Sequence, residues 1–92
     1  MIMSFRHKGL ASFFTTGSKS GIQTQHEKKL RLILGRLAAA RELRDMNLPG
    51  LRMHQLTGDL SGYYALDVSG NWRIVFRFEG NDVADVDCLD YH

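Results

Sequence analysis

The sequence predicts an α+β fold, with two N-terminal helices packed on one face of a mainly antiparallel β-sheet. Three observations lead there. Apolar residues recur at helical spacing through the first fifty positions, later segments are short and rich in aromatic and branched residues, and glycines stand at the joints. Ninety-two residues make one domain, residues 1–92, with a single core and little stability to spare. A hydrophobic share of 43% with 24% charged residues is that of a globular protein rather than a disordered chain.

Met1–Phe5 is a short candidate strand, and His7–Thr16 carries Leu10, Phe13 and Phe14 at helical spacing. Thr16–Gln25 is polar and contains glycine, so it reads as a loop. Thr24 and Glu27 have the T-x-x-E spacing of a capping box opening the second helix. That helix gathers Leu30, Ile33, Leu34, Leu37 and Ala38 on one stripe, with basic residues on the other. The stripe drifts after Ala40, where Leu43 and Met46 fall out of register, which predicts a break and a short extra turn. Pro49-Gly50 closes the helical half.

The strands are expected over Leu51–Leu56, Tyr63–Val68, Trp72–Phe78 and Val83–Leu89. Face parity then sets the register. Trp72, Ile74, Phe76 and Phe78 share one face of their strand; Arg73, Val75 and Arg77 take the other. Matching Tyr64, Leu66 and Val68 to the apolar face makes Ser69-Gly70-Asn71 a three-residue loop, with Val68 opposite Trp72. Gly80-Asn81-Asp82 becomes a second three-residue loop, which brings Ala84, Val86 and Cys88 to the core face. The outer face is left polar, and function is expected there. It should carry Arg52 and His54, with Asp67 opposite Arg73 and Tyr63 opposite Arg77.

Charge is divided unevenly. Residues 1–54 hold ten basic side chains against three acids, a net of +7, while residues 55–92 hold two against seven, a net of −5. A basic half draws polyanions at long range, although Lys28, Lys29, Arg31, Arg36 and Arg41 are equally the ordinary solvated face of a helix. The lone cysteine, Cys88, excludes an intramolecular disulfide and fits a reducing, cytoplasmic setting. No apolar run approaches the roughly 18 residues of a membrane span, and the charged N-terminus is unlike a signal peptide. His7, His26, His54 and His92 lack ligand spacing on any one element, so no zinc site is legible and no cofactor is expected.

Leu56-Thr57-Gly58-Asp59, Gly62-Tyr63-Tyr64, Val68-Ser69-Gly70-Asn71-Trp72-Arg73-Ile74 and the terminal Asp90-Tyr91-His92 form a pattern that resembles the HigB toxins of the RelE/ParE superfamily. The opening Ile2-x-Ser4-Phe5 and the helical half extend the resemblance over nearly the whole chain. It implies a RelE-like fold and a ribosome-dependent endoribonuclease that cuts mRNA in the A site without a metal. It also implies a HigA-like helix-turn-helix antitoxin, through which the pair would reach operator DNA. Carried over by position, the implied active residues are His54, Arg73, Asp90, Tyr91 and His92. The chain departs from the family at Thr57, where a lysine is frequent, and at Cys88, where an aromatic residue is common.

The residue types suit the chemistry. Metal-free RNA cleavage sends the 2′-OH onto the adjacent phosphorus, so one group takes a proton, another protonates the 5′ leaving oxygen, and cations meet the growing charge. Arg73 offers a planar fork for phosphate oxygens, and Tyr91 a ring to stack on a base or a hydroxyl for phosphate. Carboxylates near the His92 ring favour it as general acid with Asp90 as base; the reverse pairing stays open. Strand parity puts Tyr91 with Arg73 but Asp90 and His92 on the core side, which a bulge or a chain leaving the sheet near Leu89 would reconcile. Two rivals stand beside this reading: a ParE-like gyrase poison without catalytic residues, and a non-catalytic RNA- or protein-binding module. For both, changing Asp90-Tyr91-His92 would leave function largely intact.

Overall fold

The helical half builds the lid of the core. In the computed structural model, which describes residues 1–90, α1 spans Lys8–Thr16 and α2 spans Glu27–Ala39. His7 caps α1, its Nδ1 accepting from the Leu10 N–H at 3.1 Å. Gly17 ends it with φ 79°, a left-handed turn that glycine takes without a Cβ clash, and its N–H returns to the Phe13 carbonyl.

The expected Thr24/Glu27 capping box does not form. A 3-10 turn over Thr24–His26 separates the two positions, and no side chain caps either the turn or α2. Glu27 is held instead by Arg31 at 2.9 Å, one turn on, and by the loop residue Lys19 at 3.3 Å. Those two cations, Arg31 foremost, keep the Glu27 carboxyl below its ordinary range. A reciprocal capping box does occur further on, where Glu42 and Asp45 bracket a 3-10 turn over Leu43–Met46. This is the expected break and extra turn, and it places Met46 wholly inside the core.

The strands are β1 (His54–Gln55), β2 (Tyr64–Ser69), β3 (Trp72–Glu79) and β4 (Asp82–Asp90), in spatial order β1-β2-β3-β4 with every neighbour antiparallel. The N-terminal segment runs parallel to β4 through bridges at Ile2–Val83 and Phe5–Val86, with Met3 N–H donating to the Val83 carbonyl at 2.7 Å. The candidate strand at Met1–Phe5 is therefore two isolated bridges that cover the outer edge of β4. The expected Leu51–Leu56 strand shrinks to His54–Gln55. Residue 52 adopts φ 47°, a left-handed kink that breaks the extended run.

Both register expectations hold over most of each ladder and fail at the turns. Asp67 faces Arg73 and Leu66 faces Ile74 as expected, but Trp72 faces Ser69 rather than Val68. A bulge between Asp67 and Ser69 absorbs one residue and leaves a two-residue turn, Gly70-Asn71. In the second hairpin Ile74 faces Cys88, yet Phe78 faces Val83 and Arg77 faces Ala84. Its turn is Gly80-Asn81, and the extra residue is taken up near Asp85, whose φ is 54°. Val83 thus joins the core in place of Ala84, which lies on the outer face beside Arg77. Tyr63 stands one residue before β2, outside its ladder with β3, rather than paired with Arg77.

The core is one cluster joining Leu10 and Phe13 of α1, Leu30, Ile33, Leu34 and Leu37 of α2, and Leu66, Ile74, Phe76, Val83 and Val86 of the sheet. The helices therefore cover one face, as their apolar stripes require. On the outer face Ala65, Val75 and Ala84 are also buried. That face has an apolar floor, which the charged side chains around it shield in place of a second helical layer. Among the described residues, no helix is long and apolar enough to cross a membrane.

Candidate active site

The outer face is organised by two aspartates, each reached by an arginine of β3. Near the Gly70-Asn71 turn, Asp67 of β2 receives Arg73 Nε at 2.8 Å and His54 Nε2 at 3.4 Å on Oδ1, and Arg52 Nε at 3.6 Å on Oδ2. Local backbone explains how three strands' worth of side chains meet. The Asp67 N–H donates to the Leu51 carbonyl at 2.7 Å, which pins the buried Leu51 beside β2. The left-handed step at Arg52 follows directly, and it brings the guanidinium back to Asp67. His54 then enters β1 opposite Ala65, two positions from Asp67 on the same face of β2.

Arg73 is held on both sides. Besides Asp67, its Nη1 donates to the Gly70 carbonyl at 3.0 Å and to its own neighbour's, Trp72, at 3.3 Å. Its guanidinium is thereby fixed over the turn, one-fifth exposed. His54, Leu56, Ala65 and Arg73 line a shallow pocket of about 270 Å³. Asp67 Oδ1 and His54 Nε2 are both shut off from solvent, and among the described residues neither makes a hydrogen bond of good geometry. Their contacts are close in distance but not aligned, so both atoms keep unused hydrogen-bonding capacity.

Around the Gly80-Asn81 turn the second aspartate is saturated. Asp85 Oδ2 accepts from Arg77 Nε at 2.8 Å and Tyr63 Oη at 3.0 Å, and its Oδ1 accepts from Ser4 Oγ at 3.3 Å. Its backbone N–H donates to the same Ser4 Oγ. Arg77, then Tyr63, hold the Asp85 carboxyl below its ordinary range, and Asp85 raises the Arg77 guanidinium in return. Arg6 lies over the Tyr63 ring at 5.6 Å.

Of the five residues implied by resemblance, His54 and Arg73 are brought together through Asp67. Asp90 occupies the last position of β4, opposite Trp72, one step along the ladder from the Arg73–Leu89 pair. Its parity is therefore that of Trp72, on the helix side, and its residue is exposed. Among the described residues, which end at Asp90, neither a bulge nor an early exit from the sheet intervenes near Leu89; the irregularity of β4 lies upstream, at Asp85. Tyr91 and His92 lie outside the described residues. Sequence reasoning paired Asp67 with Arg73 but missed it as the hub that also collects His54 and Arg52. The signal was present, because Arg52, His54, Asp67 and Arg73 all fall on one face by parity. Among the described residues no three His, Cys, Asp or Glu side chains converge as a metal site.

The fold places the chain in a class already seen in solved structures. It superposes on YoeB of the YoeB-YefM complex from Staphylococcus aureus with a TM-score of 0.63 and 21% identity, over 100% of this chain and 95% of that one. The YoeB dimer from the same organism gives a TM-score of 0.60 with 19% identity, over 99% of this chain and 94% of that one. At the level of sequence, residues 3–92 match the family described as the RelE-like toxin of the type II toxin-antitoxin system HigB, and the chain belongs to that family. It is also 37% identical to the Endoribonuclease HigB of Proteus vulgaris over 92 residues, 100% of both chains.

Proposed function

We propose that the chain is the toxin of a type II toxin-antitoxin system and acts as an endoribonuclease on mRNA at the ribosomal A site, without a metal. Supporting the nuclease are the family, the activity for which the Proteus vulgaris relative is named, and above all the Asp67 cluster. Two guanidiniums and an imidazole around one carboxylate leave a net positive site, which suits a phosphodiester. In the reaction the 2′-oxygen bonds to phosphorus and the P–O5′ bond breaks. The products are a 2′,3′-cyclic phosphate and a 5′-hydroxyl. Arg73 and Arg52 meet the charge on the phosphoryl oxygens, and His54 lies within reach to orient the attacking ribose. The resemblance gives Asp90 and His92 the two proton transfers and Tyr91 a base to stack on. Since Asp90 ends β4 on the parity of Trp72, the scissile bond would lie at the end of the sheet rather than over its outer face.

The same reading gives the chain a HigA-like helix-turn-helix antitoxin, bound mainly to residues 1–50 and linking the pair to operator DNA. Supporting it are the basic surplus of that half and the exposed Phe14 and Leu32 on its helices. A groove floored by Phe13, Phe14 and Leu34 and edged by Arg31 runs between α1 and α2. YoeB, which shares the fold, is itself found in a toxin-antitoxin complex with YefM. The reading also makes the protein cytoplasmic.

The deciding experiment is growth arrest and ribosome-dependent mRNA cutting, with and without EDTA once the ribosome's magnesium is supplied, beside a thermal melt. Deleting His92 should abolish cutting and arrest while leaving the melt unchanged. Parental cutting by that variant would remove His92 from the mechanism. Arrest by the parent with no mRNA cut would favour a gyrase poison, and activity restored only by added zinc or manganese would point to a different enzyme.

A further inference from the structure

On the helix side of the sheet a cleft of about 280 Å³ opens between the α1–α2 loop and the Trp72 end of β3 and β4. Leu10, Ile22, Leu30, Trp72 and Cys88 line it, together with His26, and it shares no residue with the pocket at Arg73. Its rim is fixed by backbone contact. A methyl group on Gly9 would run into the backbone of Gly21, and one on Gly21 would run into Gly9, so only glycine at both positions lets the loop press onto the start of α1. The cleft is therefore preformed rather than left open by a loose loop.

His26 gives it chemical character. The residue is only 2% exposed and meets Trp72 edge-on, with ring centroids 5.8 Å apart. Its Nε2 is buried and has no hydrogen-bond partner among the described residues. A buried imidazole nitrogen without a partner is costly, and the fold keeps one beside a cleft. Burial, and behind it the nearby Asp87, push the Cys88 thiol up to about 11, so that wall is neutral and apolar at physiological pH.

We infer that this cleft is a nucleobase subsite, holding one base of the RNA strand whose phosphate is bound at the Asp67 cluster. The inference deepens the ribonuclease reading and rests on it. Its volume falls just under the range that takes drug-sized ligands, which suits one heterocycle. Trp72 supplies the aromatic partner that single-stranded RNA readers use for unstacked bases. A base also carries donors and acceptors around its rim, which the His26 nitrogen lacks and an aliphatic side chain would not provide. Trp72 and Arg73 are consecutive on β3 and point to opposite faces, so RNA rounding this end of the sheet passes from one to the other.

Trp72 is the only tryptophan, so its emission reports on the cleft. Adenosine added to the intact chain should quench it saturably, whereas ribose 5-phosphate, which lacks a base, should not. Cys88→Phe fills the cleft by size alone and should remove the response; Trp72→Leu should weaken adenosine binding, read by NMR, about ten- to a hundredfold, the worth of one base–aromatic stack. Should Cys88→Phe unfold the chain, the Trp72 indole and His26 imidazole resonances of the unmodified protein decide the matter: they move on adding adenosine if the base is seated there. Unmoved resonances, or quenching by N-acetylphenylalaninamide equal to that by adenosine, overturn the subsite. Ribonuclease activity measured on the same sample separates that failure from failure of the nuclease reading itself.

Discussion

Asp67 and Asp85 occupy equivalent places on the outer face, one on each side of β3, and are reached by arginines four residues apart. Their surroundings differ in kind. Asp85 accepts aligned hydrogen bonds from Arg77, Tyr63 and Ser4, and with Glu79 nearby the group carries no surplus positive charge. Asp67 has Arg52, Arg73 and His54 around it at distances of 2.8 to 3.6 Å, without aligned hydrogen bonds on Oδ1. The same pairing of Asp with Arg thus serves two ends. Saturated, it clamps the N-terminal segment to a strained bulge. With two guanidiniums to one carboxylate it keeps a surplus positive charge, which the proposed reading assigns to a phosphate. Consistency at one site and local frustration at the other is the pattern expected when only one of them binds.

The largest difference should appear in activity. Arg73→Ala is expected to lower mRNA cutting by about 10²–10³-fold, as loss of one preorganised donor does, while costing about 1–3 kcal/mol in a melt, because it leaves the part-buried Asp67 without its nearest cation. Arg77→Ala should lower the melt by a similar amount with cutting nearly unchanged. Equal activity losses from the two variants would erase the distinction between the clusters. Next in size, Asp67→Asn should slow cutting roughly ten- to a hundredfold through misplacement of His54 and Arg73. An unchanged single-turnover rate would reduce Asp67 to a spectator.

Smaller effects concern stability. Asp85→Ala removes a shared acceptor and puts alanine at φ 54°, so it should destabilise by about 1–3 kcal/mol in a urea titration. Asp85→Asn tolerates that backbone and isolates the charge. Because the folded Asp85 carboxyl lies below its ordinary range, its contribution is present above the unfolded pKa, about 4, and is lost as pH falls through the folded one. The parent should therefore lose stability between about pH 5 and pH 2 more steeply than Asp85→Asn; parallel curves would show that the clamp does not depend on charge. The smallest effect is kinetic. With its thiol pushed up to about 11, Cys88 should react with iodoacetamide at pH 8 about a hundredfold more slowly than a free thiol.

Period and parity carried the fold class, the helix stripe and the break after Ala40, because these follow from where apolar residues recur. The pairing of Asp67 with Arg73 was legible for the same reason. What escaped was decided by one-residue events. The bulges beside Asp67 and Asp85 leave no mark in an apolar pattern, yet each converts a three-residue loop to two, and the second exchanges Val83 for Ala84 in the core. The left-handed step at Arg52 was equally silent, since arginine has no preference for it. The Thr24/Glu27 box was displaced by a 3-10 turn between its two members, with Glu27 taken up by Arg31 and Lys19, and the box at Glu42 and Asp45 formed on a separate turn. Resemblance supplied the choice of His54, Arg73 and Asp90, which charge and periodicity could not make.

The pairing of the first residues with the last strand bears on when the protein becomes active. Val83 and Val86 complete the core and also receive the hydrogen bonds of Met3 and Arg6, some eighty positions earlier. A growing chain holds Met1–Arg6 without a partner until β4 has emerged, and contacts of such long sequence range form late and slowly. The last strand also delivers Asp85 and Asp90. Closing of the core and pinning of the N-terminal segment are therefore one event, and it waits for β4. Until then the nascent polypeptide has neither a closed core nor the complete set of side chains proposed to cut RNA.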